Sequence, residues 1–293
     1  MLLKTLIKSI KPFQLISLVA TYLLGAGLVQ YVRELHSWNN FIEGLLFLIL
    51  TYLSVVLLTN LQRLRDMKNW PDGMTLVEIK QTRWGIALVL ATFLTTNTTI
   101  LVGWMQRGVL WQGFFFLIAA LLLIAGFYYL VLIVNAYSIS QLILDVMLLV
   151  VIPPALSFFI QSRVAHPLLA QMVICLVPAF LAYRVLEQLK RFGSDQVREK
   201  KTLVTQIGWD KAMVFHNALI LLTYLLFALI SIFGFPWFLL WPVFLTLPIG
   251  LLEVWLMERT RRGGKPLWRI MQFASVMVFF LPIYLIAFAF WIR

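Results

Sequence analysis

The sequence predicts an all-α polytopic membrane protein, about nine apolar helices set in a ring around a central cavity, with the polar loops gathered on the cytoplasmic side. Three observations predict it. Of 293 residues, 62% are hydrophobic and 12% charged, against roughly half and a quarter in soluble domains, so the outer surface is as apolar as the core and its solvent is lipid. Apolar runs of the roughly 20 residues that a helix needs to cross hydrocarbon recur along the whole chain, so 1–293 reads as a single transmembrane domain. Lysine and arginine gather in alternate connections, the pattern that positively charged loops impose during insertion.

The first span, 12–32, follows Lys4, Lys8 and Lys11. Apolar residues are interleaved with those lysines and no small-residue cleavage site follows, which argues against a removed signal peptide. The second span, 40–59, closes at Asn60; the third, 84–105, opens after Arg83; the fourth is 109–133. The fifth, 139–160, carries Asp145 near its start and is interrupted by Pro153-Pro154, the one strong break inside a span. The sixth, 167–186, holds the single cysteine, Cys175, which can make neither an internal disulfide nor a multi-cysteine metal site. The seventh, 212–232, begins with His216 and Asn217, read as packing or interfacial groups; the eighth and ninth are 236–257 and 270–291. Two connections are long, polar and charged, 60–83 and 187–211, and a shorter one, Glu258–Arg269, carries Arg259, Arg261, Arg262, Lys265 and Arg269.

With the N-terminus inside, every lysine and arginine falls on the cytoplasmic face except Arg33, Arg107, Arg163 and Arg293. This predicts a multi-pass protein of the plasma or inner membrane with a cytoplasmic N-terminus and the C-terminus on the opposite side. The net charge of +12 flanks spans rather than forming a patch on a soluble module. Its counterparts are anionic membrane lipids or a phosphorylated substrate, not nucleic acid. There is no CxxC, HExxH, GxGxxG or P-loop. A transporter is disfavoured because no internal repeat and no pair of broken helices appears.

The long loops follow the second and sixth spans, and in a ring of helices they meet over one opening. The first reads Asn60-Leu-Gln-Arg63-Leu-Arg65-Asp66-Met-Lys68-Asn-Trp-Pro-Asp72-Gly73; the second contains Lys190, Arg191, Asp195, Glu199, Lys200, Lys201 and the string KKTLVTQIG ending at Gly208. That string, with an aspartate five residues before Lys200, resembles the second loop of the UbiA superfamily of intramembrane prenyltransferases, the 1,4-dihydroxy-2-naphthoate type above all, whose pattern is DxxxDxxxGKxTLxxxxG. Asn60 is similar to the Asn that opens that family's first motif. SISQLILDVMLLVVIPPALSFFIQ resembles its fifth helix, with Gln141 at the place of a glutamate, and CLVPAFLAYRVLEQLKRFGSD its sixth. The resemblance covers nearly the whole chain and is most specific from about 138 to 208.

The resemblance implies transfer of a prenyl group from an isoprenoid diphosphate to an aromatic or quinone-precursor acceptor. Mg²⁺ would be held by loop carboxylates and the leaving group neutralised by lysine or arginine. The chain departs from the pattern at those carboxylates. Leu64 and Lys68 stand where the first motif has aspartates, Arg191 stands at the first acid of the second motif, Asp195 keeps the second, and Glu199 replaces a glycine. Asp66 and Asp72 either join Asp195 on the metal after a small shift of the loop or are solvated acids paired with neighbouring cations. Arg63, Arg65, Lys68 and Lys201 either clamp a diphosphate or serve topology and lipid contact, while the in-register Arg191 and Lys200 favour the clamp. Asp145 is costly inside a membrane and therefore a candidate for orienting the acceptor or pairing with a loop arginine, against the alternative of reaching the interface. The second reading is a degenerate member that binds isoprenoid or quinone lipids, or a partner, without metal-dependent catalysis.

Overall fold

Helix follows helix along the chain, because hydrocarbon offers no partner for a free backbone N–H or C=O and each span must satisfy its own. The computed structural model describes residues 12–32, 37–64, 76–109, 119–124, 126, 139–162, 166–197 and 199–292. Within them run α1 (Pro12–Val32), α2 (Trp38–Arg63), α3 (Leu76–Gln106), α4 (Ile139–Val146), a π-helical turn (Met147–Val151), α5 (Ile152–Gln161), α6 (Pro167–Val197), α7 (Leu203–Ile207), α8 (Trp209–Ile232), α9 (Trp237–Phe244), α10 (Leu247–Arg261) and α11 (Trp268–Ile292). Eight helical stretches are long and apolar enough to cross a membrane, α4 to α5 and α9 to α10 each counting as one. The expected fourth span lies largely outside the described residues, although 119–124 are helical.

Two boundaries differ from the sequence reading. Helix α3 starts at Leu76 rather than 84, and α6 runs on to Val197 instead of ending at 186, so much of the second long loop is helix. The segment Glu187–Val197 is polar, but glutamate, glutamine, leucine, lysine and arginine all propagate a helix. Polarity marks where α6 leaves the hydrocarbon, not where its backbone unwinds. At 31 residues it is about 46 Å long against a core of about 30 Å.

Pairwise contacts fix which helix ends lie together. Tyr52 of α2 donates to Gln14 of α1, Phe13 of α1 stacks on Tyr183 of α6 with centroids 3.6 Å apart, Asp145 of α4 meets Arg184 of α6, and Lys190 of α6 donates to Gln272 of α11. The start of α1 and the ends of α2 and α6 therefore share one end of the bundle with the starts of α4, α8 and α11. At the other end Gln161 and Ser37 exchange two hydrogen bonds, Trp291 donates to the carbonyl of Leu23, and Trp104 of α3 and Arg107 just beyond its end both reach Glu43 of α2. The start of α1 and the end of α11 lie at opposite ends.

Helix α1 is a wedge between α5 and α11. The Pro153-Pro154 pair explains one face of it. Pro153 has no N–H to give the carbonyl four residues back, Leu149, and the helix widens into the π turn there. The hydroxyl of Thr21 in α1 supplies a proton to that carbonyl at 2.9 Å, shared with Ser17's own carbonyl at 2.8 Å. Pro178 and Pro282 sit within α6 and α11 without ending them, whereas the eighth span does break, after Pro242, between α9 and α10.

Buried side chains form two main cores. The larger joins α1, α2, the π turn, α5, the first half of α6 and the far ends of α8, α9 and α11, with Tyr22, Phe158, Phe180, Phe279 and Phe290 at its centre. The second lies between α6, α7, α8, α10 and α11 around Leu186, Val204, Met213, Met257 and Met271. Inside it His216 Nε2 and Glu253 Oε1 meet at 3.0 Å, both without solvent exposure. That is a hydrogen-bonded tie between α8 and α10 at a residue expected to be a packing or interfacial group.

Candidate functional site at the loop end of the bundle

The last turns of α6 organise the site. Arg184, Glu187, Arg191 and Asp195 fall at intervals of three and four, so they share one stripe of the helix. Asp195 is buried, while Arg191, one turn earlier, is exposed. The helix then closes with a residue in the left-handed region: Glu199 has φ 51°, alone among the described non-glycine residues in being positive. The Lys200 N–H donates to the Asp195 carbonyl at 2.9 Å and the Glu199 N–H to that of Gln196 at 3.1 Å. These two bonds make a Schellman cap with Glu199 at its left-handed position.

The cap gives the motif's spacing a physical meaning. An acid followed four residues later by a glycine and then by lysine is a helix end, a left-handed cap and the residue folded back over the acid. Here the folded-back Lys200 places Nζ 3.8 Å from Asp195 Oδ1. With half of its side chain exposed, the ammonium is a loosely held partner, able to turn to another anion. Thr202 then caps α7 through reciprocal bonds with Thr205, and Gln188 of α6 accepts from the Val204 N–H, which ties α7 down. Gly208, at φ 87°, caps the start of α8. Glutamate at position 199 lacks glycine's ease at positive φ, so Glu199→Gly should raise stability by about 1 kcal/mol. Thermal unfolding in detergent measures it, and an unchanged midpoint would remove the strain argument.

Asn60, in the last turn of α2, is buried at this same end, and Lys201 is exposed. Arg63 ends α2, and Gln141 lies on α4 one turn before Asp145. Arg65, Asp66, Lys68 and Asp72 lie outside the described residues, so their approach to Asp195 stays an expectation.

Asp145 has a partner, and it comes from a span rather than a loop. Arg184 Nη2 bonds Asp145 Oδ2 at 2.5 Å and Arg184 Nη1 bonds Glu187 Oε2. Arg184 and Asp145 are each 9% exposed at the side chain and Glu187 is 18% exposed. Arg184 Nε is buried with no hydrogen-bond partner among the described residues. Neither Arg184 nor Glu187 stood out as a site residue in the sequence. The available signal was a cation one turn from the end of an apolar run, where a charge needs a partner.

Among the described residues no group of three or more His, Cys, Asp or Glu side chains could hold a metal ion. A single carboxylate, Asp195, already facing an ammonium, does not make a Mg²⁺ site by itself, since Mg²⁺ takes octahedral oxygen coordination.

No family model matches the sequence, and no curated protein matches it. The fold is similar to the solved structure of a UbiA homolog from Archaeoglobus fulgidus bound to GPP and Mg²⁺, with a TM-score of 0.60, 14% identity and coverage of 96% of this chain and 99% of that one. At that identity the likeness shows a UbiA-type fold, and shows it over essentially the full length of both chains.

Proposed function

We propose that this chain is a UbiA-like intramembrane prenyltransferase, joining the prenyl group of an isoprenoid diphosphate to an aromatic or quinone-precursor acceptor. The observation that carries the reading is Asp195, held buried in motif register at the end of α6, with Arg191 and Lys200 beside it, in a fold whose solved relative binds GPP. The diphosphate would lie against Arg191, Lys200 and Lys201, with Arg63 contributed from the end of α2 and Arg65 and Lys68 from the sequence that follows it. Their charge stabilises the leaving group as the allylic C–O bond breaks and its electron pair departs on the diphosphate. The allylic cation is captured by the acceptor ring as a C–C bond forms, the substituted ring carbon then gives up its proton to the released diphosphate, and a lipid-embedded pocket keeps water from capturing the cation first. The distribution of lysine and arginine supports a cytoplasmic position for this end of the bundle, where soluble diphosphates are met.

A second reading rests on Arg191. A guanidinium at the first acid position of the motif, with no described carboxylate cluster, suits a diphosphate or lipid headgroup bound without metal. One experiment separates the two. The purified full chain in lipid nanodiscs is given Mg²⁺, prenyl diphosphates of several lengths and aromatic acceptors including dihydroxynaphthoate, and pyrophosphate release is followed beside an active family member. Prenyl transfer predicts release that EDTA abolishes and Asp195→Ala reduces at least about tenfold, as removal of a group that steadies the departing charge should. Absence of release, with prenyl diphosphate binding that persists in EDTA and weakens about tenfold in Arg191→Ala because one charge-assisted hydrogen bond is gone, selects the metal-free binder. Neither release nor binding would overturn both.

A further inference from the structure

Away from α6, the turn that joins α10 to α11 concentrates positive charge. Of the residues Glu258–Arg269, five are lysine or arginine and Glu258 alone is acidic. Glu258 is occupied by Arg261, which reaches both of its oxygens at 2.8 Å, and by Arg262 at 3.0 Å. Asp210, in the first turn of α8, also acts on Arg261. Arg259, Lys265 and Arg269 are exposed and have no acid partner among the described residues. The backbone gathers them. Helix α10 ends in the same kind of cap as α6, with Gly263 left-handed at φ 89°, the Gly264 N–H donating to the Arg259 carbonyl and the Gly263 N–H to that of Thr260, each at 3.0 Å. The chain doubles back over Arg259, and a Cβ at Gly264 would lie 2.9 Å from Arg259 Cγ. Lys265 is the next residue, so the cap sets it beside Arg259, and Arg269 follows in the first turn of α11. Beneath the two arginines the helices repeat one pattern. Trp255 lies four residues before Arg259 and Phe273 four residues after Arg269, each on its arginine's face and about 6 Å deeper along its helix. Both rings are exposed, Trp255 by 58% and Phe273 by 63%. Orienting the chain in the membrane needs only a number of cations, not a cap that gathers them above a pair of aromatic rings.

We infer that the α10–α11 turn binds an anionic glycerophospholipid of the adjoining leaflet, with Arg259, Lys265 and Arg269 around its phosphate and Trp255 and Phe273 against its acyl chains. A phosphodiester is the group that fits, because guanidinium forks match its oxygens and each cation of a basic segment at a membrane surface adds attraction to anionic lipid. A zwitterionic headgroup presents the same phosphate together with an ammonium that three cations repel, so the site discriminates by net charge. A soluble phosphate has the charge but no chains to lie against the rings. The inference goes beyond the prenyl-transfer reading and does not depend on it.

Native mass spectrometry of the full chain in detergent, titrated with dioleoylphosphatidylglycerol or dioleoylphosphatidylcholine, tests it. The wild type should bind its first phosphatidylglycerol at least about tenfold more tightly than phosphatidylcholine, a minimum for three cations each worth about fivefold. Arg259→Gln with Lys265→Gln and Arg269→Gln should bring that ratio close to unity. Lys4→Gln with Lys8→Gln and Lys11→Gln, which removes the same charge ahead of α1, should leave it unchanged. Arg259→Lys with Arg269→Lys, which keeps the charge, should also retain it, and glycerol phosphate should not displace the lipid. The inference is overturned by a wild type without preference, by a preference that survives the glutamine substitutions at the turn, or by an equal loss in the N-terminal lysine variant. Loss of the preference in the lysine-for-arginine variant, or displacement by glycerol phosphate, overturns it as well. Prenyl transfer is read separately by pyrophosphate release, so the two results are independent.

Discussion

Arg184→Met should lower stability by about 3–5 kcal/mol, the largest loss we expect from any single polar side chain of the bundle. The guanidinium holds two carboxylates, one on α4 and one on its own helix, and its removal leaves Asp145 buried without a counter-charge. Methionine fills much of the same volume, so the effect reports charge rather than a cavity. Thermal or denaturant unfolding in detergent reads it. The double variant Arg184→Met with Asp145→Asn should be more stable than the sum of the single changes predicts, by about 1 kcal/mol or more, as is usual for charged pairs that touch. Strict additivity would mean that the pair is not coupled and that α4 is held to α6 by packing alone.

That pair also shows where sequence reasoning stops. A carboxylate inside an apolar run announces itself as costly, so Asp145 was legible as a residue in need of a partner. The identity of the partner was not, because Asp145 and Arg184 are 39 positions apart and nothing local specifies that α4 and α6 lie side by side. The same holds for His216 and Glu253, 37 positions apart. The described spans, by contrast, were legible in number and order, most of their ends to within about four residues, since hydrocarbon thickness sets their length and lipid tolerates little charge. The exceptions are the start of α3, at Leu76 rather than 84, and the end of α6, where the sequence is polar while the helix continues. For that reason Arg191 and Asp195, expected in a loop, stand instead on a rigid helix, which fixes their mutual spacing before any ligand arrives. The π turn was half legible: Pro153-Pro154 marked the interruption, but only the packed structure shows Thr21 of α1 answering the carbonyl left over.

Gly25→Leu should prevent the bundle from assembling, and Gly25→Ala should already cost about 1–3 kcal/mol or more. A Cβ at Gly25 would lie 2.3 Å from the carbonyl oxygen of Pro154 and 2.6 Å from its Cα. These are backbone atoms of a helix held by two prolines and a π turn, so they cannot swing aside as a side chain would. Close approach of backbones through small residues is how membrane helices gain packing energy when lipid offers no hydrophobic drive to associate. Two residues on, Gly27 meets Trp291 and Phe290 of α11, so α1 uses small residues on both sides to fit between its neighbours. Moving α1 away from α5 would also withdraw Thr21 from Leu149. Gly193 supplies the contrast: it is exposed on α6, and a Cβ there meets nothing within 4 Å. Gly193→Ala should therefore stabilise by about 0.5–1 kcal/mol through helix propensity alone. Monodispersity and unfolding midpoint in detergent decide both, and a Gly25→Ala protein as stable as wild type would show that α1 and α5 do not approach this closely.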